Sequence, residues 1–189
     1  ARLIMPEHGL HHMPIESVLR TREGVILVPC DAVPGGSGGS VLLASRDDGR
    51  TWEDLGEGQP PPDFRAGGRG AFMAGIHAGF VQLTDGRLLA FGRGNNIDGQ
   101  MPQSVSEDLG KTWTYSASPF PGLGGGQRLA ILRLQEGPIL FCSFGTKVTV
   151  TDASGKQRNV SGLFAALSHD DGRNWTVQRL ISDDGPPRT

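Results

Sequence analysis

Chemistry in this 189-residue chain concentrates in two glycine-punctuated segments, Gly92-Arg93-Gly94-Asn95-Asn96-Ile97-Asp98-Gly99 and Gly124-Gly125-Gly126-Gln127-Arg128. Asn, Asp and Gly are favoured in any tight loop, but turning does not require an arginine. A guanidinium presents a planar fork that meets a carboxylate bidentately. Arg93 and Arg128 are therefore candidate ligand contacts, with Asn95, Asn96 and Gln127 as adjoining hydrogen-bonding groups. The competing reading of Arg128 is a buried ion pair that holds two structural units together. His11, His12, His77, Glu16, Asp31 and Asp98 complete the candidate set. His11 and His12 also read as surface residues, and His77 as a satisfied inner-strand histidine. Cys30 and Cys142 have neither CxxC spacing nor a ligand cluster beside them, and read as buried free thiols.

The elements that must position these groups are set by an internal repeat. Ser45-Arg-Asp47-Asp-Gly49-Arg-Thr51-Trp52, Ser106-Glu-Asp108-Leu-Gly110-Lys-Thr112-Trp113 and Ser168-His-Asp170-Asp-Gly172-Arg-Asn174-Trp175 all fit S-x-D-x-G-x-[TN]-W. The three Trp are the only ones in the chain, spaced 61 and 62 positions apart. Upstream of each copy, two short apolar runs flank an acidic-Gly turn, as in Phe80-Val-Gln-Leu-Thr-Asp-Gly86-Arg-Leu-Leu-Ala-Phe, which is a hairpin signature. A third strand enters the motif and a fourth leaves it at the Trp. Four antiparallel strands per repeat of about 60 residues make a propeller blade. The expected class is thus all-β, a β-propeller segment with blades at about 9–58, 70–119 and 126–182 in a single domain, 1–189.

The motif's own chemistry is structural. Its Ser and Asp suit hydrogen bonds to the amides of their own turn, Gly supplies a positive φ, and Trp plugs the space between sheets. Three equivalent copies on separate blades cannot converge on one substrate, so no metal or catalytic role is assigned to them. Strand order puts the motifs and the acidic-Gly turns at one end of the blades. The candidate residues above lie at the other end, where second strands leave and first strands enter.

Composition narrows the class further. A net charge of −2 without a long basic block offers no electrostatic footprint for nucleic acid. No segment approaches the roughly 18–20 continuous apolar residues of a membrane span. Gly and Pro are abundant, at 29 and 13 residues, as a turn-rich β protein requires.

The eight-residue pattern resembles the Asp box, or BNR repeat, of the sialidase (neuraminidase) superfamily, and strands such as Val81-Gln-Leu-Thr-Asp-Gly-Arg-Leu-Leu-Ala-Phe-Gly-Arg-Gly94 are most similar to bacterial exo-α-sialidase-like proteins. The resemblance implies a six-bladed ring, of which three blades are present. Either the chain is half of a propeller whose other blades lie in a further segment or chain, or a homodimer completes the ring. It also implies a terminal acidic sugar held by three arginines, an Asp acid/base and a Tyr nucleophile assisted by Glu, an exception to the two-carboxylate rule. Residue by residue, Arg93 and Arg128 correspond to anion grips and Asp31 or Asp98 to the acid/base, with Asn95, Asn96, His77 and Gln127 toward substrate. The family's first arginine falls where this chain reads His12-Met13-Pro14-Ile15-Glu16, and Tyr115, the only tyrosine, follows the second box at the opposite end. The expected activity is a sialidase-like glycoside hydrolase, or a portion of one. The alternative is a non-catalytic propeller that binds glycan or protein. Neither reading needs a cofactor, and the resemblance implies a secreted or periplasmic location.

Overall fold

Apolar runs broken by acidic-Gly turns fold back on themselves as antiparallel meanders. The computed structural model describes residues 13–15, 18–31, 38–152, 154–175 and 177–183, and among them there is no helix. The first sheet holds β1 (Met13–Pro14), β2 (Leu19–Arg20), β3 (Ile26–Asp31), β4 (Ser40–Ser45) and β5 (Glu53–Asp54). Both β1 and β2 pair with β3, so they are two pieces of one innermost strand. The second sheet holds β6 (Arg69–Gly70), β7 (Ile76–Gln82), β8 (Leu88–Arg93), β9 (Gln100–Ser106) and β10 (Trp113–Pro121), in the order β7-β8-β9-β10-β6. The third is a plain meander of β11 (Ala130–Arg133), β12 (Ile139–Thr151), β13 (Gln157–Ser168) and β14 (Val177–Asp183). These are propeller blades, each with its Asp box between third and fourth strand.

One strand was not expected. The Pro60-Pro61-Pro62-Asp63 stretch turns back so that Asp63 N–H donates to the Arg69 carbonyl, and β6 then caps the outer edge of β10. Proline lacks an amide donor but accepts through its carbonyl, and Ala71 N–H donates to that of Pro60. The linker therefore covers a sheet edge instead of merely crossing between blades.

Alternation along the strands distributes the core between blades. In β8, Leu88 and Ala90 face the first sheet, while Leu89 and Phe91 face the third. The second-to-third interface is an aromatic cluster of Phe91, Phe120, Phe141, Phe164 and Trp175, with Phe120 and Phe141 centroids 4.4 Å apart. Such pairs add about 0.5–1.5 kcal/mol each beyond burial alone.

Each Asp box closes on itself. In the first, Ser45 Oγ accepts from Gly49 N–H at 2.8 Å and donates to Asp47 Oδ1 at 2.9 Å. Asp47 accepts from the Thr51 amide and hydroxyl at 2.8 and 2.7 Å, and Trp52 Nε1 donates to the Gly49 carbonyl at 3.2 Å. The second copy repeats this set on Ser106, Asp108, Gly110 and Trp113. In the third, Asn174 replaces Thr as donor to Asp170, Gly172 N–H still reaches Ser168, and the buried Trp175 Nε1 has no partner among the described residues. Trp113 and Trp175 point toward the preceding blade. Trp113 packs with Leu27 and Leu42 of the first sheet, and Trp175 with Phe91 of the second. Trp52 rests on Val28, Val41 and Leu43 of its own sheet and stays half-buried.

Candidate functional site

The end of the blades away from the Asp boxes brings several predicted residues together. Asp31 ends β3, His77 lies at the start of β7, Arg93 ends β8, and Arg128 precedes β11. Asp31 and His77 are both buried. The backbone N–H of His77 donates to Asp31 Oδ1 at 2.9 Å, and its Nδ1 lies 3.2 Å from Asp31 Oδ2. Two blades thus meet through one carboxylate.

The sequence folds this way locally because β7 carries a bulge. Ile76 pairs with Arg93 and Gly79 with Phe91, so three steps on β7 oppose two on β8. Bulges of this kind re-aim a side chain. His77 sits at a φ of 52°, in the left-handed region that few non-glycine residues occupy. The segment before it is pinned by Ser40, which exchanges backbone bonds with Met73, donates its Oγ to the Gly75 carbonyl at 3.0 Å, and accepts from Ala78 N–H at 3.3 Å. Ser104 Oγ accepts from Ala74 N–H at 2.9 Å. Neither serine carries a sequence signal for this, since each reads as an ordinary strand residue.

The arginines complete the mouth. Arg93 Nη1 donates to the Gln127 carbonyl at 3.0 Å, tying β8 to the lead-in of β11. Arg128 is exposed and makes no hydrogen bond or ion pair among the described residues. The buried ion-pair reading of Arg128 is therefore not what the structure shows. Burial holds His77 below the ordinary imidazole value, with Arg128 and Arg93 pushing the same way and Asp31 pulling it up. Arg93 is itself lowered by burial and by Arg128, against Asp31. The mouth is a cationic rim over a buried Asp–His pair.

Other predicted residues turn out to be occupied by the local backbone. Ile97 and Gln100 exchange backbone bonds at 3.0 and 2.9 Å around Asp98 and Gly99, both at positive φ. That is a two-residue type I′ turn, a conformation suited to Asp-Gly, and Asp98 is exposed in it. Gln127 accepts from Gly124 N–H through its side chain at 3.1 Å, closing its own loop. Asn95 also adopts positive φ, and the Asn96 side chain lies over Gly122, leaving no room for a Cβ there. His11, His12 and Glu16 lie outside the described residues. Tyr115 is buried, and its hydroxyl donates to the Phe72 carbonyl at 2.7 Å. Burial raises its ionisation well above the ordinary phenol, so it is no ready nucleophile. Burial likewise pushes Cys30 up to about 11. Cys142 is only partly buried, which corrects the reading of both thiols as buried. No group of three or more His, Cys, Asp or Glu among the described residues could hold a metal.

A separate groove of about 300 Å3 runs along the inner strands, lined by Leu19, Phe80, Ile131 and Leu132 with Arg20, Arg22 and Arg133 at its edges. It contains no acid or base pair and belongs to the Asp-box half of the axis.

No curated protein matches the chain. Among solved structures, the K499G mutant of NanB sialidase from Streptococcus pneumoniae is similar at a TM-score of 0.53 and 17% identity, over 87% of this chain and 23% of that one. An α-L-arabinanase of Penicillium chrysogenum, complexed with arabinobiose, is similar at a TM-score of 0.53 and 16% identity, over 88% and 49%. A Dyadobacter fermentans protein of unknown function gives a TM-score of 0.48 at 18% identity, over 90% and 51%. This chain thus spans about half or less of each of these three structures. The similarity to the first two establishes the shared propeller fold. A BNR repeat-like domain matches residues 2–186, and the chain belongs to that family.

Proposed function

We propose that this chain forms part of a sialidase-like glycoside hydrolase that recognises the carboxylate of a terminal acidic sugar. The observation that carries the reading is Arg128, exposed and unpaired among the described residues, on the same rim as Arg93 and beside the Asp31–His77 pair. Two guanidiniums at one mouth, neither in an ion pair among the described residues, favour an anion. The fold neighbours named as a sialidase and an arabinanase act on glycosides, which supports the hydrolase class. Additional blades would supply the nucleophile and a further arginine. Those blades, or a second copy, would also cover Leu132 and Ile181, which are 46% and 54% exposed on the third sheet.

A second reading is favoured by Tyr115 and Asp31. The tyrosine is sealed in the core, and both carboxylate oxygens of Asp31 engage His77. A propeller that binds acidic glycan without cleaving it fits these facts. The test is turnover of a fluorogenic sialoside by the intact protein, with thermal unfolding measured in parallel with and without N-acetylneuraminate. Turnover supports the hydrolase, and protection without turnover supports the binding module. Neither effect would remove acidic sugar from both readings.

A further inference from the structure

We propose that His77 is a third cationic contact for the bound carboxylate: it takes a proton from solvent at Nε2 as the anion settles between Arg93 and Arg128, and donates the resulting N–H to it. The proposal rests on the reading of those arginines as a carboxylate grip, and adds to it a residue and a pH response.

The ring is already held at one nitrogen. Asp31 lies 3.2 Å from Nδ1 and, through its other oxygen, 2.9 Å from the His77 amide. An Nδ1–H donated to the carboxylate is the tautomer that this network assigns, and it leaves the Nε2 lone pair free to accept a proton. Both side chains are only 8% exposed. The backbone beneath is held in a strained left-handed conformation at a bulge. Strain of this sort persists only where the surroundings over-determine it, and it clusters at functional sites. Here the surroundings are Ser40, Ser104 and Asp31.

The charges that face the ring come from three elements: Asp31 of β3, Arg93 of β8, and Arg128 ahead of β11. With no anion bound, burial and the two guanidiniums outweigh the attraction of Asp31 and hold the imidazole below its ordinary value. A sugar carboxylate cancels one of the two guanidinium charges. The ring's proton affinity then rises, and the new N–H points at an acceptor. Reciprocity follows from linkage: if the anion favours the proton, the proton favours the anion by the same factor. Affinity should therefore climb as pH falls through the value for the occupied ring, by at most about tenfold per pH unit for one proton. It should level off below the value for the empty ring.

Calorimetric titration of the intact protein with N-acetylneuraminate, in two buffers of different ionisation enthalpy at one pH, reads the proton directly. Wild type is expected to take up close to one proton per sugar within that window. His77→Asn supplies the control, because Asn tolerates positive φ and cannot charge. It should bind with no uptake and no pH dependence, with an unfolding midpoint near wild type showing that it is folded. Binding that is lost in Arg128→Gln, yet proceeds without proton uptake in wild type, would overturn the role of His77 and leave the carboxylate grip standing. Absence of any binding by wild type would overturn the grip itself, and the His77 contact with it.

Discussion

Replacing the Asp-box glycine by alanine separates two costs that are otherwise mixed. Gly86 and Gly110 have almost the same backbone, with φ of 94° and 93°. A Cβ on Gly86 meets nothing within 4 Å among the described residues, whereas one on Gly110 falls 2.6 Å from Leu42 Cδ1 of the preceding blade and 3.5 Å from Leu88. Leu42 and Leu88 are fully buried, so neither can swing aside. Gly86→Ala pays about 1–2 kcal/mol for the left-handed conformation, offset by about 0.4–1 kcal/mol of unfolded-state entropy. The net is about 1 kcal/mol. Gly110→Ala pays the same and adds about 1–3 kcal/mol of overpacking, for a total of about 2–4 kcal/mol. At about 2–4 °C per kcal/mol for a chain of this size, Gly86→Ala should lower Tm by roughly 3 °C and Gly110→Ala by roughly 6–12 °C. Urea unfolding of the two variants beside wild type measures both. Equal losses would refute the view that the Asp box docks onto the preceding blade.

Three further outcomes are expected. Asp171 accepts from Arg133 Nη2 at 2.5 Å and from the Thr84 amide at 3.1 Å and its hydroxyl, so Asp171→Ala should cost about 2–3 kcal/mol by removing the acceptor for Arg133 Nη2 and for Thr84; a urea midpoint unchanged from wild type would refute this latch. The Thr51 hydroxyl and amide hold Asp47 down to about 2, and Asn174 lowers Asp170. Folded values below unfolded ones mean stability that is full above roughly pH 4 and lost as pH falls toward roughly pH 2, which unfolding midpoints across that range will show. Gly49→Ala tests what covers the first blade, because among the described residues its Cβ would meet only Trp52, at 3.7 Å. A loss matching Gly86→Ala means an open flank, and a loss matching Gly110→Ala means a blade or second copy seated on it. Light scattering then distinguishes a dimer from a monomer.

The architecture was legible in the residues because its determinants are local. An acidic-Gly turn between apolar runs specifies a hairpin wherever it occurs, and Ser, Asp, Gly and Trp of the Asp box satisfy one another within eight positions. In β8 the unbroken apolar run Leu88-Leu89-Ala90-Phe91 is buried on both faces, as such a run requires. The end of the blades that carries Arg93, Arg128, His77 and Asp31 also followed from strand order alone. Local rules misled where one residue type serves both turning and chemistry. Asp98 and Gln127 shape their own loops. Only the tertiary structure decided that Asp31, on the second strand of one blade, pairs with His77, 46 positions later on the first strand of the next. That contact needs a bulge, a left-handed φ and two buried serines acting from separate strands. None of these leaves a periodic trace in the sequence, because each is set by the approach of one sheet to another.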